Sequence, residues 1–149
     1  MKPLHTAAVV FAAAVPFALA GYSSLADAKS EIKGAAILDH ACGKVAVKQM
    51  GLVHAGKMDE ANKLSTKEMQ AQWQGMPEKD RAMMSGMMKE MSQPEAQYTA
   101  DIKSSGLLVV DGPNATLTVK KTAKDKNGSS STTTTQNFKI DGSSCLVSR

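Results

Sequence analysis

The chain has 149 residues, 18 Lys and Arg against 14 Asp and Glu for a formal charge of +4, and only 4% aromatic residues. That length is one domain with a modest core once a targeting segment is set aside. So few aromatics argue against nucleic-acid recognition by base stacking, and no nucleic-acid partner is expected.

Met1-Lys2 gives a short basic start, and His5 to Leu19 is almost wholly apolar. Ala18-Leu19-Ala20 and Ala26-Asp27-Ala28 both fit a small-x-small cleavage pattern. Residues 1–28 therefore read as a secretory signal peptide, cleaved after Ala20 or Ala28. The apolar run falls short of the ~20 residues that span a bilayer, and Pro16 interrupts it, so no stable membrane insertion is expected after cleavage. The expected location is periplasmic or secreted, with a single domain over 29–149.

The mature chain divides into a helical half and a strand-rich half. Ser30 to Ala55 reads as one long helix, with Leu38, Cys42, Val45 and Leu52 near one face, widened by Ile37 and Ala41. Gly56 is a natural stop, and Met58 to Leu64 reads as a short second helix. Ser65-Thr66-Lys67-Glu68 fits a capping box that starts a helix through Trp73. Gly75-Met76-Pro77 breaks it, and Pro77 suits the first turn of the next helix, with Glu78 and Asp80 at its positive end. Ser92-Gln93-Pro94-Glu95 is a second capping box, opening a helix to about Ser105 that Gly106 ends.

From Leu107 the hydrophobic period changes to two. Leu107 to Asp111 is a strand, followed by a turn at Asp111-Gly112-Pro113-Asn114. Ala115, Leu117 and Val119 alternate with Thr116, Thr118 and Lys120, as in a half-buried strand. Asn127-Gly128 marks a second turn, Ser129 to Thr135 a β-branched strand continued by Phe138 and Ile140, and Asp141-Gly142 a third turn before Cys145 to Val147. Lys120, Lys121, Lys124 and Lys126 read as the solvated end of a hairpin rather than as a surface for anionic partners. The expected fold class is α+β, with N-terminal helices packed on a four-stranded antiparallel meander.

Cys42 and Cys145 are the two cysteines of the chain. An even pair in an exported protein reads as a disulfide, here tying the early chain to the last strand. Two lone cysteines without a CxxC pairing do not make a metal site.

Three stretches carry a family resemblance: His54-Ala55-Gly56-Lys57-Met58-Asp59-Glu60-Ala61-Asn62-Lys63-Leu64-Ser65, then Gly106 to Val119, then Asn137 to Val147. They resemble the helix–glycine–helix step and the opening and closing hairpins of the nuclear transport factor two-like superfamily, a cystatin-like α+β cone. Within that superfamily the chain looks like the small exported bacterial members. Cys145 stands where the family often carries the tryptophan of a Gly-x-Trp step. The resemblance implies a cone of helices on a curved sheet, and homodimers formed through the open sheet face, here with the threonine-rich strand. The superfamily holds enzymes, binding proteins and structural modules alike, so it implies no single activity.

Met76, Met83, Met84, Met87, Met88 and Met91 cluster, and Met84, Met87, Met88 and Met91 share one helical face at i, i+3, i+4 and i+7. That face reads as an adaptable apolar lining or core surface. His40 and His54 lie fourteen residues apart, roughly 21 Å on a straight helix at 1.5 Å per residue, and do not share a metal. Tyr98 and Asp101, three apart on one helix, are the pair best placed to reach a cavity. No nucleophile elbow, phosphate loop or zinc motif is present.

These features point to an exported, non-catalytic binding module for a small apolar ligand or a protein partner, without a cofactor. Its expected ligand-binding residues are Trp73, Met84, Met87, Met88, Met91 and Tyr98, at the mouth between the methionine-rich helices and the sheet. Three alternatives stay open: a Cu(I)-binding protein using the thioethers of the methionine-rich helix, an isomerase- or dehydratase-like enzyme of the same fold, and an inhibitor- or immunity-like partner protein.

Overall fold

The computed structural model describes residues 29–125 and 128–149. The signal-peptide reading of 1–28, Lys126 of the lysine-rich hairpin end and Asn127 of the second expected turn lie outside them. The described chain is α+β. No helix among the described residues is long and apolar enough to cross a membrane.

The segment expected as one helix over Ser30–Ala55 is three elements. Strand β1 spans Ser30–Lys33, a 3₁₀ helix spans Gly34–Asp39, and helix α1 spans Ala41–His54. Gly34 causes the first break, because its φ of +60° is a left-handed conformation that other residues adopt at a cost. Its N–H donates to the Gly106 carbonyl at 3.1 Å, so the chain turns off the sheet there. The second break is His40, extended at φ −76° and ψ 144°, whose Nδ1 accepts from the Cys42 N–H at 3.2 Å and caps α1. The 3₁₀ helix then lies directly on α1. A Cβ at Gly43 would come within 1.9 Å of the Ile37 carbonyl oxygen, so glycine is required by the approach itself.

Four more helices follow: α2, Met58–Asn62; α3, Lys67–Gly75; α4, Glu78–Met91; and α5, Glu95–Ser105. Neither expected capping box forms. The N-caps of α3 and α5 are Thr66 and Pro94, and neither side chain makes a capping bond. Ser65 is drawn instead into a short parallel bridge with Val147: Thr66 N–H donates to the Val147 carbonyl and Val147 N–H to the Leu64 carbonyl, both at 2.9 Å. Ser92 closes α4 rather than opening α5, its hydroxyl donating to the Lys89 carbonyl at 2.6 Å. Competing backbone partners thus take both residues out of the capping role.

Strands β2 (Leu107–Asp111), β3 (Asn114–Asp125), β4 (Gly128–Asp141) and β5 (Ser144–Ser148) complete an antiparallel sheet ordered β1-β2-β3-β4-β5. It has five strands rather than the expected four, because β1 pairs with β2 from Ser30↔Val110 to Lys33↔Leu107. One strand therefore precedes the helices. The β3–β4 hairpin outruns its neighbours. Pairing with β2 stops at Thr118 and pairing with β5 starts at Asn137, so the far part of the hairpin is a two-stranded ribbon.

The core lies between one sheet face and the inner helices. Leu108, Ala115, Leu117, Val119, Phe138 and Val147 from the sheet meet Ile37, Ala46, Tyr98 and Ile102. Cys42 and Cys145 sit inside this cluster and form the expected disulfide, with Cα atoms 5.0 Å apart and 103 residues between them in sequence. Helix α4 stays outside it and has no buried residue. It reaches the body through Met88, which packs on a separate small cluster of Val53, Met58 and Ala61.

Candidate functional site

Spacing on three helices builds one cleft. On α2, Met58, Ala61 and Asn62 fall at i, i+3 and i+4; on α3, Met69, Gln72 and Trp73 repeat that pattern; on α4, Met84 and Met88 are four apart. Each set shares a helical face, and all three faces border a cleft of about 180 Å³. Met76, at the break between α3 and α4, completes the lining with Gln49, Ser65 and Arg149.

Five of the chain's ten methionines, Met58, Met69, Met76, Met84 and Met88, therefore face one opening. Among the described residues no carboxylate and no histidine lines it, and the one charged lining residue is Arg149. Trp73 is oriented by its indole N–H, which donates to Asp59 Oδ1 at 2.8 Å. The cleft lies among the helices. Among the described residues the strands contribute no lining residue to this cleft; the space between the end of the methionine-rich helix and the sheet is a separate cavity, bordered by Glu90 and Met91 on one side and Val119, Lys121, Thr132 and Thr134 on the other.

The structure divides the sequence-predicted site residues. Trp73, Met84 and Met88 come together in the cleft. Met87 and Met91 are 52% and 72% exposed and turn away from it with Met83, at 70%. Met91 instead borders a second cavity of about 350 Å³, together with Tyr98, Asp101, Gln93 and Lys121. The methionine-rich helix is thus two-faced, with 84 and 88 turned inward and 83, 87 and 91 outward. Sequence reasoning placed Met76 in the methionine cluster without naming it a binding residue, and missed Met58 and Met69, whose signal was an i, i+4 Met–Trp step on α3 and the sheer number of methionines.

In the second cavity a polar chain runs from the sheet to α5. Lys121 Nζ donates to Gln93 Oε1 at 3.1 Å, and Gln93 Nε2 donates to Asp101 Oδ2 at 2.9 Å. Tyr98 is 1% exposed, and its buried hydroxyl has no hydrogen-bond partner among the described residues. Burial first, and the Asp101 carboxylate second, push the phenol up to about 12. A phenol held protonated this firmly is no general base near neutral pH, and Asp101 is already engaged by Gln93. His40 is a helix cap, and His54 Nδ1 lies 3.3 Å from the Ser92 hydroxyl. Among the described residues no group of three His, Cys, Asp or Glu side chains is placed to hold a metal ion.

No family model matches the chain, and no curated protein and no solved structure matches it significantly.

Proposed function

We propose that the chain is an exported, non-catalytic binding module whose helical cleft receives apolar groups of a small ligand or of a protein partner. One observation carries this reading: Trp73 and five methionines from separate segments converge on a single open cleft. Methionine fills irregular space and adapts to varied shapes, and its use in place of Leu or Ile suits a surface that repacks around its occupant. At about 180 Å³ the cleft is smaller than the ~300–1,000 Å³ usual for small-molecule sites. It suits one or two inserted side chains, or a short acyl segment, better than a large ligand. Export is supported by the Cys42–Cys145 disulfide, since such bonds persist in oxidising compartments.

The test uses 1-anilinonaphthalene-8-sulfonate as an apolar probe and the fluorescence of Trp73, the chain's one tryptophan. Saturable binding at one site is expected, abolished by Met84→Ser combined with Met88→Ser and retained when both become Leu. Probe binding that never saturates, or that survives the serine pair, overturns the proposal.

A further inference from the structure

We infer that the same cleft is a site for a soft monovalent cation of the Cu(I) and Ag(I) class, held by thioethers from different segments of the chain. The inference rests on the cleft being an open binding site, as proposed above, and assigns it a specific occupant. Thioether sulfur is neutral, soft and polarisable, and selects Cu(I) over the harder divalent ions. Five such donors border one opening of about 180 Å³: Met58 on α2, Met69 on α3, Met76 at the following break, and Met84 and Met88 on α4.

A purely apolar cleft could be built from Leu, Ile and Phe, which pack as well and are less flexible. Here, among the described residues, methionine is the only large aliphatic side chain in the lining. Trp73 adds an indole ring at the same opening, and an indole attracts a cation through its π-face. Among the described residues the lining holds no carboxylate, so hard divalent ions do not meet their preferred oxygen anions. This donor set differs from a stripe along the methionine-rich helix. Met83, Met87 and Met91 are exposed on the other face of α4 and are not part of it.

The experiment titrates the folded chain anaerobically with Cu(I) against bicinchoninate, and with Ag(I) read by native mass spectrometry. One equivalent is expected. Replacing Met84 and Met88 with Leu keeps apolar volume while removing sulfur, and should weaken uptake roughly 100-fold, two decades in Kd, with anilinonaphthalene sulfonate binding retained. Met58→Leu is a second, independent variant expected to weaken uptake in the same direction. The triple change of Met83, Met87 and Met91 to Leu should leave Cu(I) affinity within about twofold, under ~0.5 kcal/mol. No uptake at micromolar metal, unchanged uptake in the Met84/Met88 leucine pair, or loss in the outward triple variant each overturns the inference. If the metal fails while the apolar probe binds, only this inference falls. If the apolar probe also fails to bind saturably, the cleft is not a binding site at all.

Discussion

Tyr98→Phe should stabilise this protein at neutral pH and change how it responds to alkali. Tyr98 is 1% exposed and its hydroxyl is buried without a partner among the described residues. A buried donor left unsatisfied costs about 1–3 kcal/mol. Phenylalanine keeps the ring against Ile102 and the sheet and removes the oxygen. The small void left behind offsets part of the gain, so a net increase of about 1 kcal/mol at pH 7 is expected. The alkaline arm has its own sign. The phenol ionises near its ordinary value of 10.0 in the unfolded chain but is held up to about 12 in the folded one, by burial first and Asp101 second. Between these values the unfolded chain loses a proton that the folded chain keeps. The contribution of Tyr98 is therefore intact below pH 10 and is lost as the pH rises toward 12, by at most ~3 kcal/mol at about 1.4 per pH unit. Urea unfolding followed by Trp73 fluorescence at pH 7, 10 and 11.5 measures both arms. The difference between wild type and variant should widen above pH 10 and cancels the titration of every other group. A loss of 1 kcal/mol or more at pH 7 would show that the hydroxyl has a partner after all. Parallel stability curves between pH 10 and 12 would refute the alkaline argument.

Reducing the Cys42–Cys145 bond releases a loop closed over 103 residues, and chain entropy sets that loss at about 4.7 kcal/mol for a loop near 100 residues; a urea midpoint that barely moves on reduction would contradict it. Gly43→Ala drives a methyl into the Ile37 carbonyl, 1.9 Å from where its Cβ would sit, and should cost about 1–3 kcal/mol or more, read as a lower thermal midpoint. Phe138→Ala removes a ring that is 1% exposed at the centre of the sheet's inner face, for about 3–5 kcal/mol by chemical denaturation.

The strand half was legible because its signal is local. Alternation in Ala115, Leu117 and Val119, and turn residues at Gly112 and Gly142, specify faces and reversals without help from the rest of the chain. The first strand was hidden because Ser30–Lys33 has no stretch of alternation, and its place on the sheet comes from a partner 80 residues away, Val110. The 3₁₀ segment kept helical periodicity, so Ile37 and Cys42 read as one continuous face although His40 breaks it. The capping boxes misled for a related reason: Ser65 and Ser92 have the right spacing, but tertiary and neighbouring carbonyl partners claim them first. At the site, helical spacing found Met84 and Met88 but grouped Met87 and Met91 with them. Four positions at i, i+3, i+4 and i+7 span a wide arc, and only the packing of α4 against Val53, Met58 and Ala61 decides which side of that arc turns inward. Convergence of Met58, Met69 and Met76 on the same opening is a tertiary fact with no local sequence signature.

The two-stranded ribbon lies in the chain between the two halves of the sulfur bridge, Cys42 before it and Cys145 after it. A tryptic nick after Lys121, past the last rung shared with β2, would separate a piece bearing Cys42 from a piece bearing Cys145. The two would travel together on a non-reducing gel and part once thiol is added, so one digestion reports both the ribbon's accessibility and the integrity of the bond that holds the remainder closed.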